Sequence, residues 1–236
     1  MTELFDKIWK LRWIFRYFLH SVVFNFRHLP FSQACKLPIL LYKPRILNCT
    51  GKFVFRCPVR FGLVKLGANN VSIFPNSGIT MENRGTVIFN GRLSVGNASA
   101  ISVGETGTLE FGDNVGATTS LKLACFDSVH IQNGVLIGWD CMITDTDFHK
   151  LKYVNSGEMT KGHGKITIGH DTWIANGCKI YKNATIPPEC VVGADTIIRG
   201  PVECGPHFLI TNEINTIVHS KGIYLDRTDD IIDYTN

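Results

Sequence analysis

Six aliphatic residues, Ile168, Ile174, Ile180, Ile186, Val192 and Ile198, stand at a fixed interval of six in the C-terminal half of the chain. No other feature restricts the fold as much. An α-helix repeats its apolar positions every three or four residues and a half-buried strand every two, so a period of six belongs to neither. It suits a solenoid whose short strands turn a corner after each hexapeptide, with the aliphatic side chain inward. Four residues after each of the first five comes a small one, Thr172, Cys178, Ala184, Cys190 or Thr196, sized to pack beside a bend. The beat recurs upstream at Ile131, Ile137 and Ile143, and loosely at Phe89 and Val95.

Between Ile143 and Ile166 the beat lapses. The interval 150–165, KLKYVNSGEMTKGHGK, is polar and glycine-rich and reads as a loop thrown out of a regular coil. In a solenoid such insertions gather on one face and commonly build the binding site. His149 stands at its mouth. An imidazole, with its ordinary pKa near 6.5, is matched to taking a hydroxyl proton at neutral pH. Asp145 and Asp147 are two residues apart, as groups on one side of a strand would be, and either could orient the ring. Asp147 also falls in the small-residue register, where it could simply satisfy turn amides.

The string 166–202, ITIGHDTWIANGCKIYKNATIPPECVVGADTIIRGPV, together with ITDTDFHK at 143–150, resembles the hexapeptide-repeat acyltransferases. The likeness is greatest to those that O-acetylate capsule, lipopolysaccharide and other surface sugars. It implies an all-β fold, a left-handed parallel β-helix, assembled as a homotrimer with active sites between subunits. It also implies acetyl-coenzyme A as acyl donor, a sugar or glycan acceptor, no metal, and His149 as the general base. By the same resemblance Trp173 lies beside the acceptor or the pantetheine arm, while Asn176 and Ala194 line the coenzyme channel; a narrow channel needs small residues, which suits Gly193 as well as Ala194. The chain departs from the pattern where Arg199-Gly200 replaces the usual Thr-Lys, so Arg199 becomes the candidate contact to a coenzyme phosphate. Two other classes are weighed: a non-catalytic β-helix scaffold, and a γ-carbonic-anhydrase-like metalloenzyme using some of His130, His149, His163 and His170.

Charge is uneven along the chain. Residues 1–60 carry eleven Lys/Arg and two acids, a net of +9, and the remainder carries a net of −5. A basic end of this kind points to an anionic lipid surface or phosphorylated carrier; no nucleic-acid partner is expected. Residues 3–28 read as one amphipathic helix, with Leu4, Ile8, Leu11, Phe15, Phe18 and Val22 on a face that Trp9, Trp13, Ile14, Leu19 and Val23 widen. Lys7, Lys10, Arg12 and Arg16 interrupt it too often for a span of about 20 apolar residues. Two readings stay open, a helix packed on the solenoid or its neighbours and an anchor lying in the membrane interface.

The expected organisation is a helix and Pro-rich linker over 1–50, the β-helix over 51–206, and a tail over 207–236. With no signal peptide and no CxxC pair, the eight cysteines read as reduced and the protein as cytoplasmic. Four N-x-S/T triplets, at Asn48, Asn70, Asn97 and Asn183, read as corner asparagines rather than glycan sites.

Overall fold

A computed structural model describes residues 18–68 and 71–212, and the backbone of 223–225. The chain winds into a three-sided parallel β-helix of the left-handed hexapeptide type. The first sheet stacks eight strands, from Ile39–Leu41 to Leu209–Ile210. The second stacks seven, from Pro44–Cys49 to Ile197–Ile198, and the third six, from Lys52–Phe55 to Thr185–Ile186.

The six-residue beat is the coil itself. Ile168 lies beside Ile186, Ile174 beside Val192 and Ile180 beside Ile198, eighteen residues on in each case. Each coil therefore has three hexapeptide sides. All six aliphatics are buried, and so are the five small residues of the neighbouring slot. Each Ile or Val removed from water contributes about 1.5–3 kcal/mol, repeated once per side. Upstream the coils lengthen: Phe111 sits beside Ile131, twenty residues on, and Phe89 beside Phe111, twenty-two on. The extra residues fall at the corners, which is why the beat blurs before Ile131 while the core column of Phe89, Phe111 and Ile131 stays continuous.

Non-glycine residues in the left-handed backbone region mark many of the corners, among them Asn114, Asp140, Asp171, Asn183 and Asp195. Asn and Asp tolerate that region best. Asn183 is thus the corner asparagine its sequence suggested, and Asn97 is buried, donating to the Thr119 hydroxyl (3.2 Å). Asn48 instead lies in a strand, and Asn70 is outside the described residues. All eight cysteines are free thiols.

Within residues 29–50, expected as a linker, Ile39–Leu41 and Pro44–Cys49 already form two sides of the first coil. Pro38 precedes Ile39–Leu41, and Pro44 opens Pro44–Cys49. Both strands are sheet edges, where a missing N–H is tolerated. Before them run α1, over 18–28, and α2, Phe31–Ala34. The expected helix over 3–17 lies outside the described residues. α1 covers the open edge of the first strand: Leu41 N–H donates to the Ser21 hydroxyl (2.9 Å), and Asn25 both accepts from Ile39 N–H (3.1 Å) and donates to Ile39 C=O (2.7 Å). An unpaired strand edge is thereby satisfied. At the far end the first sheet continues past Pro206 to Leu209–Ile210, and a strand of the tail, Ile223–Leu225, pairs antiparallel with Leu151–Tyr153 of the extruded loop.

Candidate active site

The loop leaves the solenoid at the corner between the second and third sheets. The second-sheet strand Met142–Thr144 runs into Asp145, whose side chain is fully buried, and the chain then turns outward. Thr146 bridges antiparallel to His163, Asp147 N–H donates to Gly162 C=O (2.8 Å), and Gly164 N–H donates to Asp145 C=O (2.9 Å). Beyond this neck the segment folds as a ribbon, with Thr160 N–H bonded to Leu151 C=O (2.8 Å) and a left-handed turn at Gly157.

Phe148 adopts φ +61°, unusual for a bulky side chain and a mark of local strain. The Thr146 hydroxyl accepts from its amide (3.0 Å), and its ring packs edge-on against Phe126 at 5.1 Å between centroids. This strained turn carries the next residue, His149, away from the coil into an exposed position.

The two aspartates part company. Asp145 and Asp147 do not share a side, because the chain leaves its strand between them. Asp145 points inward and accepts the amides of Phe126 (2.7 Å) and Asp127 (2.8 Å), one on each carboxylate oxygen. Burial pushes its carboxyl above the usual range, and the two amides pull against that shift. Asp147 points outward and pairs with the Lys182 ammonium of the next coil.

His163, which the polar, glycine-rich sequence around it places in the loop, is buried at the neck. Its Nδ1 lies 2.8 Å from the Asp127 carboxylate, and Asp127 is in turn held through its amide by Asp145. Residues 127, 145 and 163 stand eighteen apart, but the beat lapses before 163, so it is the folded corner that joins them. This chain of bonds ties the base of the ribbon to the preceding coil. His163→Ala should therefore loosen the neck. Loss of a hydrogen bond worth about 1 kcal/mol raises the open population roughly five-fold. Tryptic cleavage within 150–165 should accelerate by a similar factor while the solenoid melts nearly as before.

The other predicted residues collect at a different corner. Trp173 faces outward from the first sheet, 49% exposed, between Leu136 and Val191 of the adjacent coils. Asn176, Gly193 and Ala194 follow at the corner between the first and second sheets, where Asp195 N–H donates to Asn176 C=O (2.9 Å). Arg199 is exposed on the second sheet, its guanidinium 5.4 Å from the Tyr181 ring centroid. Within one chain, then, His149 and Trp173 stand on separate corners of the prism. A shallow groove of about 330 Å³ runs along the second sheet between those corners. Ala100, Ser102, Ala124 and Thr144 floor it, Glu82 and Lys122 bring charge to its lining, and Phe148 marks the His149 end.

Of the four histidines weighed for a metal, His130 lies on the third sheet, His163 at the neck, and His170 at a corner with Asp171 (3.0 Å). No three His, Cys, Asp or Glu side chains among the described residues are grouped to hold an ion.

No protein-family profile matches the chain. A probable acetyltransferase of Mycobacterium tuberculosis is 29% identical over 110 residues, 46% of this chain, and the chain spans 36% of that protein's length. Among solved structures, the polySia-specific acetyltransferase NeuO aligns with 80% of this chain and 71% of its own, at 14% identity and a TM-score of 0.45.

Proposed function

We propose that the protein transfers an acetyl group from acetyl-coenzyme A to a hydroxyl of a sugar in a surface-glycan intermediate, in the cytoplasm. The observation that carries this reading is the expulsion of His149 from an otherwise continuous solenoid by a strained Phe148 turn and a latched ribbon. A scaffold has no use for such a device. The sequence relative, a probable acetyltransferase, supports the same chemistry.

His149 takes the proton of the acceptor hydroxyl as its oxygen attacks the thioester carbonyl carbon. The carbonyl electron pair moves onto oxygen, and backbone amides stabilise the resulting oxyanion. Collapse breaks the C–S bond, and the departing thiolate takes its proton from the imidazolium. No protein thiol takes part; Cys141, Cys178 and Cys190 fill core slots. Asp147 is our candidate to orient the imidazole from the exposed side, whereas Asp145 acts from inside by fixing the turn beneath it. The acceptor lies in the groove that reaches Phe148.

The coenzyme lies along Trp173, Asn176, Gly193 and Ala194, with Arg199 at a phosphate. Because these residues and His149 occupy different corners of one prism, the complete site forms between copies, His149 of one subunit meeting the Trp173 corner of the next. The assembly is a homotrimer.

Acetyl-coenzyme A at about 100 times its Kd should stabilise the native assembly by about 2.7 kcal/mol, a rise of roughly 5–10 °C in melting temperature. Thiol release from acetyl-coenzyme A, screened against nucleotide sugars, lipid-linked glycans and thiogalactosides, should identify the acceptor. No thermal shift and no release with any of them would leave a non-catalytic scaffold as the better description.

A further inference from the structure

α1 is amphipathic in the reverse sense for a helix packed on a protein. Its inward face at Ser21 and Asn25 is polar because those side chains serve the backbone of the edge strand Ile39–Leu41. Four helical residues advance about 6 Å and two strand residues about 6.6 Å, so the Ser21–Leu41 and Asn25–Ile39 contacts lay α1 antiparallel along that strand. Phe24 alone adds a large apolar contact on this side, edge-on to Phe53 at 5.2 Å. The outward residues are the apolar ones. Leu19 is 65% exposed, Val23 57% and Phe31, at the start of α2, 75%. Phe26 meets Phe31 at 5.9 Å, so the outward face is a cluster rather than scattered single residues.

Charge decides what covers it. Between Asp6 and Glu82 the chain has twelve Lys/Arg and no acidic residue. Arg27, Lys36, Arg45 and Lys52 are exposed on the helices and first coil that form this end of the solenoid. Beside the C-terminal turn of α1 opens a cleft of about 510 Å³ lined by Arg27, His28, Thr50, Gly51 and Lys52. Burial, with Arg27 close by, keeps His28 below the usual imidazole range, leaving Arg27 and Lys52 as its cations. A second copy docked face to face would set these cations against their own mates. An apolar face ringed by cations fits an anionic bilayer, with side chains at the acyl boundary and Lys/Arg among the headgroups. None of the described helices is long and apolar enough to cross a membrane.

We propose that the N-terminal end of the solenoid docks on an anionic phospholipid surface, with α1 lying in the interface, Leu19, Val23, Phe26 and Phe31 inserted, and the Arg27–Lys52 cleft holding a lipid phosphate. The solenoid axis then stands off the membrane, with the His149 corner on its side four coils from the docked edge. Each cation held there gives roughly a five-fold gain in partitioning. The docking does not depend on the acyl-transfer reading.

The test is co-sedimentation of the full chain with vesicles of phosphatidylcholine alone or mixed equally with phosphatidylglycerol, at low and high salt. The expected result is binding to the mixed vesicles at low salt, reduced at least ten-fold by high salt as charges are screened. Val23→Ser with Phe26→Ser should lose at least ten-fold in vesicle binding with an unchanged melting temperature and oligomer size. Arg27→Glu with Lys52→Glu should abolish the preference for phosphatidylglycerol. Wild-type protein that ignores mixed vesicles at low salt overturns the proposal. So does a Val23→Ser, Phe26→Ser variant that melts early or changes oligomer size, since the face would then be covered by residues 1–17 or by another subunit.

Discussion

His149→Ala is expected to lower turnover by about 100-fold or more, the small end of what a positioned general base contributes and about 2.7 kcal/mol of transition-state stabilisation. The loss should fall on kcat and on kcat/KM together, because the proton is moved in the transition state and not in the bound ground state. The fold should be indifferent. His149 is exposed, so its truncation uncovers no core, and Phe148, Thr146 and His163 hold the structure beside it. Melting temperature should therefore stay within a degree or two, and protection by acetyl-coenzyme A should persist, since the coenzyme residues sit on another corner. A variant that keeps its turnover would remove His149 as the base. A variant that loses coenzyme protection as well would place the donor, not the acceptor, at this corner.

How much of this was legible beforehand follows from the range of the interactions. The aliphatic ladder is a local signal repeated once per side, so the solenoid, its inward residues and its small-residue slots could be read off the chain directly. The mouth of the loop was equally legible, because a lapse in a strict period is visible against the period. What could not be read was pairing between distant segments. Asp145 looked like a partner for a nearby ring. In the fold its carboxylate reaches back to the amides of Phe126 and Asp127, on the previous coil. His163 could be placed only in the loop, yet it is buried at the neck, hydrogen-bonded to Asp127. The α1 face stayed open between two readings for the opposite reason. Hydrophobic patterning marks which side is apolar but not which side the protein occupies, and here an edge strand demanded polar partners from Ser21 and Asn25.

Asp145→Ala should be the most damaging single change at the candidate site, measured as stability. The side chain is fully buried, and its two oxygens answer two backbone donors on the adjacent coil. Alanine leaves both amides without their acceptor in a partly buried corner, at about 1–3 kcal/mol each, and adds a void below the strained Phe148 turn. A combined loss of about 3–5 kcal/mol corresponds to roughly 6–20 °C in melting temperature for a chain of this size. Asparagine should recover only part of it. One carboxamide oxygen can still accept, but its NH2 group faces the second amide, donor against donor. The damage should also travel to the loop, because the Asp127 amide held by Asp145 positions the carboxylate that holds His163. A double-mutant cycle of Asp145→Ala with His163→Ala, read by tryptic cleavage within 150–165, should therefore be sub-additive, the second change costing less once the first has released Asp127. Full additivity would mean that the two residues fix the neck independently, and that the corner is not the single hydrogen-bonded unit its geometry describes.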